Sequence, residues 1–320
     1  MTQGKVVIAG GGVLGSQIAF QAQYCGFDAT IWLRSQGSME RCKPKLRKVH
    51  GAYIQALETM KQSRCAENFS HGLVDSHDFD LDSLKAKCGQ VLADITLETD
   101  MAKAVSDADF VIECVSEDLK AKRDFYHELS QVVPDTTIIC TNSSSIKPSK
   151  LMRSVKLPER FIAMHFANDI YRCNIAEIMP TQLTDEKVKE ATIDFARKLR
   201  MVPLPLTKEK EGYLLNSMLI PFLMSGFDLY ANGIAQPHDI DKAWTIGTGS
   251  PLGPFQIFDI VGIKTAYDIV SEYTKIPSFL APYNFKAQAH ILKTMMDEGR
   301  MGKMSGKGFY DYDDKGNPID

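Results

Sequence analysis

From the N-terminus to about Lys208, short apolar runs alternate with stretches of helical periodicity. Lys5 to Ala9 is such a run, as a strand buried on both faces should be. A glycine cluster follows. Leu14, Ile18, Ala22 and Cys25 then recur at helical spacing, with Gly26 placed to end the helix. Asp28 to Leu33 is the next strand, so the first 33 residues predict one strand–helix–strand unit. From about Ser38 the pattern changes. Leu46 to Gln62 predicts an amphipathic helix, and the stretch to Gly89 is polar and irregular, so a helical insertion is expected at about 38–95. Asp109–Cys114, Thr137–Thr141, Phe161–Met164, Asn174–Ile178 and Met201–Leu206 are again short and strand-like. The alternation predicts an α/β fold, a Rossmann-type doubly wound sheet covered on both faces.

Beyond Lys208 the strand pattern stops. Tyr213 to Ala231 is apolar nearly all round its helical face, as a buried or interface helix would be. Asp239–Ile246, Phe255–Tyr273 and Asn284–Glu298 also predict helices. The charged stretch Thr207–Glu211 suits a linker. The expected organisation is an α/β domain over 1–207 and an all-helical C-terminal domain over 208–320.

Composition narrows the classes. The 320 residues are 44% hydrophobic, enough for more than one packed core. A net charge of −3 with 24% charged residues argues against a nucleic-acid-binding surface. No apolar run approaches the roughly 20 residues that span a bilayer, so no membrane partner is expected. The N-terminus carries no basic region followed by an apolar stretch, so no secretory signal is expected. Seven cysteines without CxxC spacing read as reduced thiols in a cytoplasmic protein, and no metal site is expected.

Gly10, Gly12 and Gly15 form a GxGxxG around Val13 and Leu14. The first glycine permits a tight turn, the second lets a pyrophosphate approach, and the third lets helix and strand pack closely. The phosphate would sit at the helix N-terminus, where free N–H groups favour negative charge. An NAD site usually ends the second strand with an acid for the ribose. Here Leu33 stands at that position, followed by Arg34 and Ser35, which could hold a 2′-phosphate. NADP is therefore expected over NAD. The alternative is a solvated Arg34 in an NAD enzyme that lacks the acid.

Three segments carry candidate chemistry. Asn142–Ser145 and Ala163–Asn168 each end a strand, where open α/β sheets place ligands, and Glu177 is one acid on an apolar strand. His165 and Glu177, twelve residues apart, could meet across a strand–loop–strand pair. A carboxylate on one imidazole nitrogen would orient the ring, and the other nitrogen would move a hydroxyl proton. Spacing alone leaves a packed core histidine open. Ser144 and Asn216 could hydrogen-bond a substrate oxygen, although Asn216 could equally be a helix-packing amide.

Along nearly its whole length the chain resembles the L-3-hydroxyacyl-CoA dehydrogenase family. Asn142–Ser145 is similar to its NTSS-like segment, and His165–Asp169 to its HFFNP block. Glu177 falls at the spacing of the catalytic Glu, and Gly212–Ser217 is similar to its GFIVNR-like helix start. Ser116–Lys122 resembles the VEN-LKVK stretch that touches the nicotinamide side of the cofactor. Gly249–Phe255 and Gly306–Tyr310 resemble C-terminal signatures. The resemblance implies a homodimer that oxidises a short-chain (S)-3-hydroxyacyl-CoA with NADP or NAD. It implies catalytic residues His165, Glu177, Ser144 and Asn216. Ser144, His165, Asn168 and Asn216 would meet substrate. The glycine loop with Leu33, Arg34, Ser35, Glu117, Lys122 and Asn142 would hold the cofactor. The chain departs from the pattern at Leu33, at Ala167 and Asp169, and at Ile170–Cys173, residues expected to shape the substrate pocket. Lys61 and Arg64 of the insertion could meet a CoA phosphate. Two other readings remain: a dehydrogenase of a free hydroxy acid, of gulonate or carnitine type, and a non-catalytic structural or cofactor-sensing relative.

Overall fold

The side chains of strand β1 (Lys5–Ala9) alternate between two apolar layers, Val6 and Ile8 in one, Val7 and Ala9 in the other. A strand with both faces buried needs such a continuous apolar run. The structure, a computed structural model, describes residues 3–63, 65–313 and 316–319, apart from the Glu67 side chain. It divides into two units, Met1–Leu214 and Leu215–Asp320.

In the first unit β1 is followed by α1 (Val13–Tyr24), β2 (Asp28–Trp32), α2 (Gln36–Gln62) and α3 (Leu81–Asp94). Then come β3 (Thr96–Glu98), α4 (Met101–Val105), β4 (Phe110–Glu113), α5 (Leu119–Leu129) and β5 (Ile138–Thr141). The unit ends with β6 (Phe161–Phe166), β7 (Ile175–Pro180), α6 (Glu186–Lys198) and β8 (Val202–Pro205). The 8-stranded sheet has the order β3-β2-β1-β4-β5-β6-β7-β8. Strands β1 to β6 pair in parallel, β7 pairs antiparallel with β6, and β8 runs parallel to β7. The chain reverses its winding between β1 and β4, the crevice where doubly wound sheets hold ligands. One face packs Phe20, Tyr53 and Phe195, and the other packs Phe125, Tyr126 and Leu151. The sheet is thus covered on both sides, as the alternation predicts.

The insertion is more helical than its polarity suggests. Helix α2 starts ten residues before the predicted Leu46, because Ser35 caps it by accepting the Ser38 N–H at 3.3 Å. It then runs through Pro44, whose ring removes one amide donor from an exposed face. Helix α3 occupies sequence expected to be irregular. Asp80 caps it through the N–H groups of Asp82 and Ser83, and only Cys88 and Val91 are fully buried, too few to leave a clear period. Gln21 of α1 ties these pieces together: its amide donates to the carbonyls of Gly72 and Leu199 and accepts from the Tyr53 hydroxyl.

The second unit holds α7 (Leu215–Ala231), α8 (Pro237–Thr248), α9 (Pro254–Val261), α10 (Ile263–Tyr273) and α11 (Phe285–Asp297). A small antiparallel hairpin, β9 (Asp311–Tyr312) and β10 (Pro318–Ile319), follows. The single helix predicted over Phe255–Tyr273 is two, broken at Gly262 with φ +95°. Among the described residues no helix is long and apolar enough to cross a membrane.

Two buried carboxylates organise this unit. Asp241 accepts the N–H groups of Phe255 and Gln256 at the start of α9 and the hydroxyl of Tyr310. Asp259 accepts the N–H groups of Phe309 and Tyr310 and the hydroxyl of Tyr312. The glycines of both C-terminal motifs follow from this. A Cβ on Gly253 would meet the Asp241 carboxylate at 2.4 Å, and one on Gly308 would meet Asp259 Oδ1 at 2.0 Å. Removing the Asp259 carboxylate strands three half-buried donors. Asp259→Ala is expected to lower stability by about 2–4 kcal/mol, read from the denaturant midpoint. A midpoint shift worth under about 0.5 kcal/mol, the usual range of a surface change, would refute this account.

Candidate active site

Strand β1 ends at the glycine loop. Gly10 sits at φ +121°, and a Cβ there would strike the Cys114 carbonyl at 2.5 Å. A Cβ on Gly15 would meet the Gly10 carbonyl at 2.1 Å, so helix and loop pack without room for a side chain. At Gly12 a Cβ would meet nothing within 4 Å, and this residue caps α1 with no side-chain hydrogen bond. The space and the first N–H groups of α1 beside Val13 and Leu14 therefore face outward, which fits a dinucleotide pyrophosphate.

At the end of β2, Leu33 is buried. A Cβ on Gly11 would reach its Cδ2 at 2.9 Å and Cys42 Sγ at 2.5 Å, so its side chain closes the loop from beneath. It can offer a ribose only apolar surface or backbone. Arg34 and Ser35 are exposed, and Ser35 is also the cap of α2. Sequence reading missed Lys45, whose ammonium donates to the Gly11 carbonyl at 3.1 Å.

His165 and Glu177 are directly opposed in the antiparallel register of β6 and β7. His165 Nδ1 lies 2.8 Å from Glu177 Oε2, and both side chains are buried, at 8% and 1% exposure. Glu177 Oε1 accepts the Leu214 N–H at 2.8 Å. The imidazole lies face to face with the Tyr213 ring, centroids 4.5 Å apart and planes 16° apart. Glu177 engages one ring nitrogen and leaves Nε2 as the other. That arrangement can pass a proton to or from a group held at the strand end.

A buried polar network underlies the neighbouring loop. Glu113, at the end of β4, accepts from Tyr126, Thr141 and the Val115 N–H and is paired with Lys122. Lys122 also reaches Glu117 Oε2 at 3.2 Å. It is 1% exposed, and its ammonium lies between the Glu113 and Glu117 carboxylates. Glu117 accepts from the Ser143 hydroxyl and from the N–H and hydroxyl of Ser145. Burial pushes the Glu117 carboxyl up. The Ser143 hydroxyl, the Lys122 ammonium and Ser145 outweigh it and hold the carboxyl down at about 2. Asn142 accepts the Phe166 N–H at 3.0 Å and so joins the ends of β5 and β6. Ser144 stands exposed between its two anchored neighbours. Asn216 opens α7 in the second unit.

The departures after His165 have a backbone cause. Asp169 takes φ +56°, which a proline ring forbids, and its carbonyl accepts the N–H groups of Arg172 and Cys173. Gln17 holds the Ile170 N–H, and the Tyr171 ring lies 4.7 Å from that of Tyr53. Asn168 is exposed beside this turn. Lys61 is exposed, and its ammonium donates to the Phe79 carbonyl at 3.0 Å and lies 5.2 Å from that ring. Arg64 lies outside the described residues.

The Glu117 contacts predict an acid response. A carboxyl held low in the folded state contributes stability that is complete above its ordinary 4.5 and is lost as pH falls toward 2. Glu117→Gln should therefore flatten the loss of stability between those limits, measured by thermal melts at stepped pH. An unchanged slope would remove Glu117 from that role.

Comparison with known proteins gives a consistent picture. Residues 5–210 match the family described as 3-hydroxyacyl-CoA dehydrogenase, NAD binding domain, and residues 212–312 match its C-terminal domain. The human mitochondrial hydroxyacyl-coenzyme A dehydrogenase is 28% identical over 307 residues, covering 96% of this chain and 90% of that one. The 3-hydroxybutyryl-CoA dehydrogenase of Clostridioides difficile is 27% identical, covering 96% and 99%. A solved diketoreductase, described by substrate-directed dual catalysis of dicarbonyl compounds, is 39% identical with a TM-score of 0.83, covering 98% and 100%. With an NAD-binding sheet domain followed by a helical domain, this chain is an oxidoreductase that belongs to the 3-hydroxyacyl-CoA dehydrogenase family.

Proposed function

We propose that the chain interconverts a (S)-3-hydroxyacyl-CoA and the 3-oxoacyl-CoA, with His165 as the proton-transfer group and Glu177 as its orienting partner. The observation that carries this reading is the buried His165–Glu177 pair at the strand end. A bound nicotinamide would supply the two-electron exchange, taking the hydride as the C=O bond forms. In the oxidation His165 Nε2 takes the hydroxyl proton, and in the reduction it returns it. Glu177 holds the ring and balances the charge that develops on it. The exposed Ser144 hydroxyl and Asn216 are assigned to the substrate oxygen, and Asn168 to the pocket wall. The homodimer belongs to the same proposal: the second unit leaves Met218, Ile246 and Phe279 at 66%, 80% and 87% exposure, apolar surface that a second copy would cover.

A second reading takes a dicarbonyl or a free hydroxy acid with no CoA. The 39% identity to the diketoreductase favours it. For the cofactor, the NAD-binding family match makes NAD the first expectation. A preference for NADP rests on the missing strand-end acid and the exposed Arg34.

Three measurements decide among these. With acetoacetyl-CoA and NADH, His165→Gln should lose roughly 10²–10⁴-fold in kcat, the usual share of a general acid–base group. Survival of activity with little loss would discard the base assignment. Turnover of simple 1,3-dicarbonyls or free hydroxy acids, with none of acetoacetyl-CoA, would move the assignment to the second reading. Arg34→Ala should weaken NADPH and spare NADH if Arg34 clamps a 2′-phosphate. Equal use of both cofactors, unchanged by the substitution, would remove the clamp.

A further inference from the structure

We infer that Tyr213 is a positioning residue that sets the plane of the His165 imidazole and, through Ser143, the placement of the Ser144 hydroxyl. The inference rests on the reading of His165 as the proton-transfer group.

One hydrogen bond fixes a point on an imidazole, not its plane. The ring can still rock through coupled changes in χ1 and χ2 that keep Nδ1 near Glu177 Oε2. Tyr213 removes that freedom, since its ring covers one imidazole face at 4.5 Å with planes 16° apart. Tyr213 itself cannot drift. It is buried, and its hydroxyl donates to the Ser143 carbonyl at 2.8 Å. Burial, with the carboxylates of Glu117 and Glu177 nearby, pushes the phenol up, so it stays a donor.

The backbone is arranged for this. Tyr213 takes φ +51° directly after Gly212 at φ +78°, a conformation that a bulky residue holds only where its surroundings enforce it. Its N–H donates to the Lys210 carbonyl at 3.2 Å, and the next N–H, of Leu214, donates to Glu177 Oε1. One turn therefore touches both members of the pair, with the Tyr213 ring on His165 and the Leu214 amide on Glu177. The family motif that this segment resembles carries phenylalanine where Tyr213 stands. A phenylalanine would stack in the same way but could not bind the Ser143 carbonyl. The tie to the Ser143–Ser144 peptide is thus made by this chain's own hydroxyl.

The test uses the full chain as wild type, Tyr213→Phe and Tyr213→Leu. The first readout is kcat against KM for acetoacetyl-CoA with NADH. The second is the imidazole nitrogen spectrum of 15N-histidine-labelled protein, with His165 assigned through His165→Gln. Tyr213→Phe should keep the wild-type His165 tautomer and lose about tenfold in kcat at little-changed KM, the scale of one hydrogen bond. Tyr213→Leu should lose about 10²-fold in kcat, the scale of a small misplacement, and broaden the His165 nitrogen signals as the ring gains mobility, with the tautomer still set by Glu177. A Tyr213→Leu protein with kcat within about twofold of wild type would overturn the inference, as would a loss of kcat with His165 nitrogen line widths unchanged. If Tyr213→Leu does not fold, Tyr213→Phe decides: kcat within about twofold of wild type overturns the Ser143 tie and the inference with it. If wild type turns over no 3-oxo substrate, the proton-transfer reading fails, while the His165 line widths still judge the positioning role.

Discussion

The antiparallel register of β6 and β7 is the constraint on which the candidate site depends. It sets His165 directly opposite Glu177 and Met164 opposite Ile178. Side chains so paired face each other at about 5 Å between Cβ atoms, within reach of one hydrogen bond. The two faces of this strand pair are chemically different. Ile162, Met164, Phe166, Ala176 and Ile178 enter the large core beneath the sheet. Ala163 and Met179 lie on the other face, in a small cluster with Leu206 and Tyr213, beside His165 and Glu177. A slip of one residue would turn Glu177 into the large core without a partner, and burying an unpaired carboxylate costs far more than any alternative pairing could return. The apolar pattern thus enforces the polar pair.

The loop after β5 is held by a different logic. Ser143 is gripped at three points: its hydroxyl by Glu117, its N–H by the Thr141 hydroxyl, and its carbonyl by Tyr213. Glu117 in turn leans on Lys122, and Lys122 on Glu113. A buried lysine between two carboxylates is costly to desolvate, and it is stable only because each partner has further donors. What that chain of contacts secures is a fixed backbone at a strand end, with Ser144 left exposed upon it.

Much of this was legible in the sequence, and the gaps have physical causes. The glycine loop shows itself because three positions admit no side chain or must stay open, and only glycine meets that demand. The strands show themselves as apolar runs because both faces of the sheet are covered. The pairing of His165 with Glu177 was only a spacing until the register placed them opposite. Helix α3 stayed hidden because its buried anchors are just Cys88 and Val91, and its Asp80 cap sits in a polar run that reads as loop. The break at Gly262 was masked by apolar residues on either side. The burial of Lys122 between Glu113 and Glu117 cannot be seen in a sequence motif. The role of Tyr213 was the least visible. Its segment reads as helix from Tyr213 onward, whereas α7 begins at Leu215 and Tyr213 is in the left-handed turn before it.

On the proposed reading, these features separate proton transfer from substrate choice. His165 and Glu177 are fixed by strand register, by a stacked ring and by the Leu214 amide, and a shift of the pair would strand a carboxylate. The segment from Ala167 to Cys173 is fixed differently. It is a loop hung on Gln17, on the Gly72 backbone and on the Tyr53 ring, and it passes through Asp169 in a conformation closed to proline. Such a loop can take a new path while β6 and β7 stay in register, because its anchors lie on α1, α2 and the insertion and not on the pair itself. The His165–Glu177 pair can therefore stay in place while the loop beside it changes. In this chain the departures begin just two residues after His165, where side chains stop being dictated by the sheet.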